Sequence, residues 1–452
     1  MRTLADMTRP TGQVAAAPAA PSGLPRLLAG IGGGGGDPQP GRGTPLARHR
    51  LVYPAPPRPG RPREDFIAAV ERSGVRGRGG ASFPTGTKLR AVRDGRGAPV
   101  VVVNGSEGEP SSYKDKLLLT MAPHLVIDGA LLAAAAVGAS EVVVCVDRAA
   151  TAAHDAIGRA LAERGRSDGV EVRLAAIPSR YVAGEETALV HWLNGGPATP
   201  TRTPPRPFQR GVSRRPTLID NVETVAHLAQ VLRFGPDWFR QLGTVDEPGS
   251  ALVTLSGAVE RPGVYEIPIG APLAQLVSRA AGAPEGVGAV LLGGYFGSWI
   301  GAEEASAASL SNGDLRRHGA SLGCGAVVVL GASACGLGET ARILAWLAGQ
   351  TAGQCGPCVH GLAAVAGTTA ALHDGQATPA DLDRLRRWAG QIEGRGACRL
   401  PDGAVRLLRS ALEVFAGDVW RHLDGGSCPA GVRIVPPRTP AAAPTQEGHQ
   451  WR

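Results

Sequence analysis

At 452 residues the chain is long enough for two to four domains with cores of their own, and a hydrophobic share of 43% is ordinary for a water-soluble protein. Its formal charge of +8 does not mark a nucleic-acid binder: only Lys88, Lys114 and Lys116 are lysines, the arginines are scattered, and aromatics make up 4%. Seven cysteines, an odd number in so long a chain, argue against a secreted disulfide framework.

Residues 1–60 are rich in Ala, Pro, Gly and Arg and include the run Gly32 to Gly36. They read as a mostly disordered tail with one short element at Leu24 to Ala29. No uninterrupted apolar stretch follows Met1 and Arg2, so no secretory signal is expected. The longest apolar segment, Leu125 to Ala139, carries Asp128 and is too short to span a bilayer. A cytoplasmic protein without a membrane span is the expectation.

From Glu64 the pattern becomes globular, beginning with an amphipathic helix to Arg72. Next comes Arg76-Gly77-Arg78-Gly79-Gly80-Ala81-Ser82-Phe83-Pro84-Thr85-Gly86-Thr87-Lys88. Closely spaced glycines let backbone N–H groups approach a ligand, and Arg78 and Lys88 supply positive charge, so this stretch reads as a cradle for a phosphorylated cofactor. The dinucleotide pattern G-x-G-x-x-G and the P-loop spacing are both unmet. Val100 to Val103 has the composition of a buried parallel strand, and the turn after it, Asn104-Gly105-Ser106-Glu107-Gly108-Glu109-Pro110, sits where open α/β sheets bind ligands. Glu107 and Glu109 there would accept from ligand hydroxyls.

A helix through Ala139, a strand from Glu141 to Val146, a helix from Ala149 to Glu163 and a strand from Val170 to Ile177 continue the alternation of a parallel α/β sheet. Tyr181 to Leu189 opens another helix, with Glu185 and Glu186 in its first turn, where acids complement the helix dipole. Pro197 to Pro207 runs as irregular chain, and Pro216 to Thr224 leads into a helix ending near Leu232. Between Ser250 and Gly297 short β-branched runs with turn signals describe a small α+β module. Past Gly336 the sequence becomes helical, and Thr378-Pro379-Ala380-Asp381 reads as an N-cap followed by a first-turn Pro and acid. Cys355-Gly356-Pro357-Cys358 lies in this region, with Cys398 forty positions on and Cys428 later still. A C-x-x-C turn with a third cysteine brought in by a helical hairpin suits zinc or an iron–sulfur cluster. Cys145 reads as a core residue, and Cys324 and Cys335 have no assigned role.

Arg76 to Lys88, Asn104 to Lys116, Tyr181 to Leu189, Pro216 to Thr224 and the Cys355 region occur in one order, and over residues 64–418 the chain resembles the flavoprotein (51 kDa) subunit of respiratory complex I, the F subunit of NADH-quinone oxidoreductase. The resemblance implies an α/β Rossmann-like FMN domain at 61–245, a small α+β β-grasp (soluble ligand-binding) domain at 246–305, a C-terminal all-α iron–sulfur-binding helical bundle at 325–425, and a flexible tail at 430–452. It implies that FMN takes a hydride from NADH and passes single electrons through an iron–sulfur cluster to a ferredoxin-like or thioredoxin-like [2Fe-2S] partner.

By motif, Gly77, Arg78, Gly79, Gly80 and Lys88 would hold the flavin phosphate and ribityl chain. Asn104, Ser106, Glu107, Gly184, Glu185, Glu186, Asp220 and Asn221 would line the rest. The resemblance also implies that Glu109 would lie beside the NADH ribose, that Phe83 would stack on the adenine, and that Glu109 and Glu185 would be the catalytic acids. Cys355, Cys358 and Cys398 would hold the cluster.

The family's E-S-C-G-x-C-x-P-C reads here Gln350-Thr351-Ala352-Gly353-Gln354-Cys355-Gly356-Pro357-Cys358, so one thiolate is replaced by Ala352. That leaves open a [4Fe-4S] or [3Fe-4S] cluster, a fourth ligand from Cys428 or His360, or a zinc held by Cys355, Cys358, Cys398 and Cys428. The family's K-P-P-F-P reads Thr203-Pro204-Pro205-Arg206-Pro207, and a second family phenylalanine is Ala91. These changes keep two alternatives in view: a non-NADH donor such as ferredoxin, and a degenerate, non-catalytic subunit with a structural metal.

Overall fold

The computed structural model describes residues 23–29, 31, 43–54, 63–165 and 169–428; the expected tail at 430–452 lies outside them. Within 1–60, the described residues correct the expectation of a disordered tail. The turn at Leu24 to Ala29 is present, and the backbone N–H groups of Arg26 and Leu27 donate to the Glu266 carboxylate at 2.8 and 3.0 Å. A further helix, Leu46–Val52, buries His49 against Asp128 at 2.7 Å. A tail dominated by Pro and Gly is anchored here by a few buried side chains, Leu27 and Tyr53 among them, which composition averages away.

The first unit is a four-stranded parallel sheet of β1 (Val100–Gly105), β2 (Glu141–Asp147), β3 (Glu171–Ile177) and β4 (Thr217–Asn221), in the order β3-β2-β1-β4. β1 to β3 are the expected apolar runs. β4 falls where the sequence predicts only the approach to a helix; it pairs with β1 from Val100↔Thr217 to Asn104↔Asn221, and its polar ends hide a strand with only Leu218 and Ile219 as apolar signal. The expected helix through Ala139 is two helices, Lys114–Met121 and Pro123–Val137, meeting at 97°. Pro123 has no N–H to continue the first helix and turns Ala122 out of helical geometry, at ψ 47°.

Pro123–Val137 is buried along nearly its whole length. It packs so closely on the helix Val222–Phe234 that a Cβ on Gly129 would lie 1.9 Å from the Val225 carbonyl oxygen. Among the described residues no single helix is long and apolar enough to cross a membrane; that bent pair has the length and composition only when its parts are joined.

The second unit is a five-stranded sheet, β6-β5-β9-β7-β8, built from β5 (Ser250–Gly257), β6 (Gly263–Pro268), β7 (Val287–Leu292), β8 (Ser298–Gly301) and β9 (Ala326–Gly331). β9 runs parallel to β5, antiparallel to β7, and all six of its residues are buried. The sheet therefore extends past residue 305, and Ala326–Gly331, which an iron–sulfur bundle starting at 325 would have claimed, is its middle strand. The third unit is helical: Gly336–Gly349, a π-helical turn Pro357–Leu362, Ala363–His373, Pro379–Ile392, Leu400–Val414 and Ala416–Leu423. The expected cap before Pro379 is formed, with the Thr378 N–H and hydroxyl both donating to Asp381 at 2.9 and 2.8 Å.

Side chains cross between all three units. Tyr181 of the first meets Phe296 of the second edge-on at 4.7 Å and Trp346 of the third at 5.4 Å. Its backbone N–H donates to Gln350 at 3.1 Å.

Candidate functional site

β1 is the strand at which the order reverses, β2 lying on one side of it and β4 on the other. Crevices at the carboxyl ends of such strands are where open α/β sheets bind ligands. Register brings Asn104 of β1 beside Asn221 of β4, and Val103 beside Asp220. The glycine stretch arrives at the same place as a loop closed by an Arg76–Pro84 bridge, with the Gly77 N–H donating to the Phe83 carbonyl at 2.8 Å. The helix after it, Thr85–Arg93, has no side-chain cap on its first turn. Gly79 approaches Asn221 so closely that a Cβ would stand 3.2 Å from the Asn221 Cβ, whereas a Cβ on Gly80 would meet nothing within 4 Å. Gly184 joins from the far side: Asn104 Nδ2 donates to its carbonyl at 2.8 Å, and a Cβ there would lie 2.1 Å from Ser106 Oγ.

The charges are arranged in two tiers. Toward the crevice, Lys88 donates to the Ile219 carbonyl and to Asp220 Oδ1, the latter at 3.1 Å. Asp220 Oδ2 is buried and has no hydrogen-bond partner among the described residues, and burial raises this carboxyl above its usual value. Beneath lies a buried set that sequence reasoning missed. Lys114 Nζ reaches Asp115 and Glu223, both at 2.9 Å, and Asn221 at 3.2 Å. Arg78, expected at the phosphate, points down into this tier: its Nε lies 3.9 Å from Glu223 and its Nη2 donates to the Ser250 carbonyl.

Burial pushes Glu223 up, but Lys114, His227 and Arg78 outweigh it and bring its pKa down to about 2. Burial would lower Lys114, yet Asp115 and Glu223 hold it above its usual value, while burial raises Asp115 to about 6. One sequence signal could have found this tier. In a chain whose permanently charged cations are otherwise all Arg, the three lysines all fall in or beside the two tiers, Lys116 Nζ donating to the Glu107 carbonyl at 2.9 Å.

Several expected site acids are occupied by the protein itself. Glu107, held at φ 27°, accepts from Ser112 Oγ and from the backbone N–H groups of Asp115 and Lys116. Glu109 is buried and accepts from Ser111, Tyr181 Oη and the Tyr295 N–H, and burial raises its pKa. Glu185 caps the helix Glu186–Leu193 by accepting from the Thr187 and Ala188 N–H groups, and Asn221 caps Val222–Phe234 through the Glu223 N–H. At the surface, Glu186 lies 4.0 Å from Arg206, and Phe83 is 52% exposed.

Five of the seven cysteines fall into two groups, Cys145 and Cys324 lying apart from both. Cys358, in the π-helical turn, is buried and its thiol is pushed up to about 12, first by burial and then by the adjacent Cys355 and Cys398. Cys398, just before Leu400–Val414, is raised by burial, with Glu185 and Cys355 adding to it. Ala352 offers no donor, so the chain supplies three thiolates there. Cys428 is engaged elsewhere, its sulfur 3.2 Å from His422 Nε2, which corrects both the expectation of Cys428 as fourth ligand and the four-cysteine zinc.

Residues 70–230 match the Nuo51 FMN-binding domain, 252–293 the SLBB domain, and 338–422 the NADH-ubiquinone oxidoreductase-F iron–sulfur binding region. The chain is 33% identical over 381 residues to the second of the NADH-quinone oxidoreductase F subunits of Rhizobium meliloti (strain 1021), a match covering 81% of this chain and 90% of that one. The chain belongs to the family of NADH-quinone oxidoreductase F subunits. The corresponding protein of Streptomyces coelicolor is 34% identical over 379 residues, covering 81% and 84% of the two chains. Among solved structures, an NAD+-reducing [NiFe]-hydrogenase in the air-oxidized state is similar with a TM-score of 0.76 at 30% identity, over 85% of this chain and 67% of that one.

As a family member the chain is an NADH dehydrogenase flavoprotein, with FMN and an iron–sulfur cluster as cofactors and NADH as substrate. The crevice fits FMN: the unpartnered Asp220 Oδ2 can accept from a donor such as a ribityl hydroxyl, and the space over Gly80 is open. The two alternatives, a ferredoxin donor and a degenerate chain, are not favoured by these matches.

Proposed function

We propose that the loop Gly77 to Gly80, Lys88, Asn104, Ser106, Gly184, Asp220 and Asn221 hold FMN at the carboxyl ends of β1 and β4. In this reading Cys355, Cys358 and Cys398 carry the iron–sulfur cluster beside it, and the protein works in the cytoplasm with a [2Fe-2S] electron-transfer partner of ferredoxin-like or thioredoxin-like kind. Bound FMN supplies the chemistry that links a two-electron hydride donor to one-electron acceptors.

The chain's residues then have separable tasks. Lys88 brings positive charge to the flavin, and Asp220 accepts from it. Arg78 and Glu107 act from behind, the first by fixing Glu223 and the second by holding the loop before Lys114. Glu109, expected as a catalytic acid, has both oxygens satisfied within the protein, while Glu185, the other, caps its helix through Oε2; both serve as positioning residues, Glu109 by holding the Tyr295 N–H. Phe83 and the Glu186–Arg206 pair flank the entrance for the nucleotide, where Arg206 takes over the cationic role of the family lysine replaced by Thr203.

The observation that carries the reading is the buried, unpartnered Asp220 oxygen opposite Lys88 at the strand-order reversal. Lys88 is partly exposed, so Lys88→Ala leaves the fold intact while removing a charge-assisted contact of about 1.5–3 kcal/mol, roughly 10- to 100-fold in flavin affinity. Titrating FMN into flavin-depleted protein tests it: unchanged affinity in Lys88→Ala would remove the cradle assignment.

A further inference from the structure

The helical unit holds a second group of soft donors that the iron–sulfur trio does not use. Cys335 is the N-cap of Gly336–Gly349, its sulfur accepting from the Gly338 N–H at 3.3 Å. His422 lies in the last turn of Ala416–Leu423, and Cys428 is in the chain that folds back beyond it. His422 Nε2 is 3.5 Å from Cys335 Sγ and 3.2 Å from Cys428 Sγ, and all three donor atoms lie within 4.8 Å of one another.

Those separations match one ion. With zinc–sulfur bonds near 2.3 Å and zinc–nitrogen bonds of about 2.0–2.1 Å, a tetrahedral site sets sulfur and nitrogen about 3.5 Å apart. An iron–sulfur cluster, by contrast, spreads its thiolates around several metal atoms.

A fourth donor lies nearby, outside that 4.8 Å group. The His373 ring, at the end of Ala363–His373, is 5.1 Å from the His422 ring. Its Nδ1 is bonded to Asp374 at 2.9 Å, the arrangement that orients a metal-binding imidazole and leaves Nε2 for the ion. Gly338 lets these groups converge: a Cβ there would lie 2.7 Å from His373 Nε2 and 3.6 Å from Cys335 Sγ. His373, His422 and Cys428 line a cleft of about 340 Å³ with Gly425 and Gly426.

We propose that Cys335, His422 and Cys428, with His373 as fourth donor, bind a zinc-class divalent cation that fastens the chain beyond Leu423 to the start of the Gly336–Gly349 helix. Two thiolates and two imidazoles favour such an ion over magnesium or calcium, which take oxygen donors. Binding would deprotonate both thiols, releasing two protons to solvent. Arg421, whose Nη1 lies 3.3 Å from Cys428 Sγ, offsets part of the added negative charge.

The test uses the full chain purified anaerobically with flavin and iron in place, loaded with one equivalent of zinc and then with cobalt(II) as a spectroscopic substitute. About one tightly held zinc per chain is expected, and the cobalt form should show the thiolate charge-transfer bands of a tetrahedral site. Cys428→Ser lies outside the helices and leaves the fold intact. It and His422→Ala should each weaken zinc by more than about 100-fold, since loss of a partner that merely orients a ligand already costs ~10–100-fold. Iron and flavin contents should stay unchanged in both, whereas Cys398→Ser should lose iron and keep zinc. Zinc failing to bind the parent protein, zinc binding unaltered in both Cys428→Ser and His422→Ala, or a Cys335–Cys428 disulfide in the anaerobic protein would each overturn the proposal.

Discussion

Glu223 carries more of the site than its position in the sequence suggests. It accepts from the Leu252 N–H of the second sheet at 2.8 Å, pairs with Lys114 and faces Arg78 and His227, so one carboxylate ties the cradle to the β-grasp unit. Its pKa is depressed from 4.5 to about 2, so its contribution to stability is complete above about 4.5 and is lost as pH falls toward 2. That difference is on the order of 3 kcal/mol. Acid unfolding followed by circular dichroism should therefore steepen across this window. Glu223→Gln should flatten that part of the profile and lower stability at neutral pH; an unaltered acid limb in the variant would contradict the assignment. Arg78→Ala acts on the same group and should cost about 1–3 kcal/mol in unfolding free energy as well as flavin, because it strips a charged neighbour from a buried acid.

How much of this was legible in the sequence varies from element to element. β1, β2 and β3 declared themselves as valine-rich runs bounded by polar turns, and the helix cap at Thr378 was readable from four residues. β4 was hidden because Asp220 and Asn221 at its end break the apolar signal that marks a strand. β9 is apolar enough to be seen as a strand, but its parallel pairing with β5 joins residues about seventy positions apart, which no local pattern reveals. Within the candidate site, the meeting of the glycine loop and Lys88 with the end of β4 was legible because close-packed glycines beside a lone lysine are unusual. The inward use of Arg78, Glu107 and Glu185 was not, since a charged residue looks the same in sequence whether it faces a ligand or a helix end. The kink at Pro123 frees Pro123–Val137 to lie flat on Val222–Phe234, and Gly129 makes that contact possible. Gly129→Ala should force the two helices apart at a cost of about 1–3 kcal/mol or more, read as a lower thermal unfolding midpoint. An unchanged midpoint would mean that the contact yields easily.

Across the whole molecule, the segment around Tyr181, beside the crevice, packs against the helical unit that carries the cysteine trio. Tyr181 is wedged between Phe296 and Trp346, Arg180 donates to the Thr351 carbonyl at 2.8 Å, and Glu185 lies close enough to Cys398 to raise its pKa. Cys398→Ser should abolish most of the iron content while leaving the flavin bound; iron retained at the parent level would exclude Cys398 as a ligand. The central claim is that this altered nucleotide entrance, with Arg206 and Thr203 where the family pattern has Phe and Lys, still serves an NADH dehydrogenase. Anaerobic titration of the FMN-loaded protein with NADH, following the flavin's visible absorbance with dithionite as control, tests it most directly. Stoichiometric bleaching by NADH is the predicted result, and bleaching by dithionite alone would contradict it.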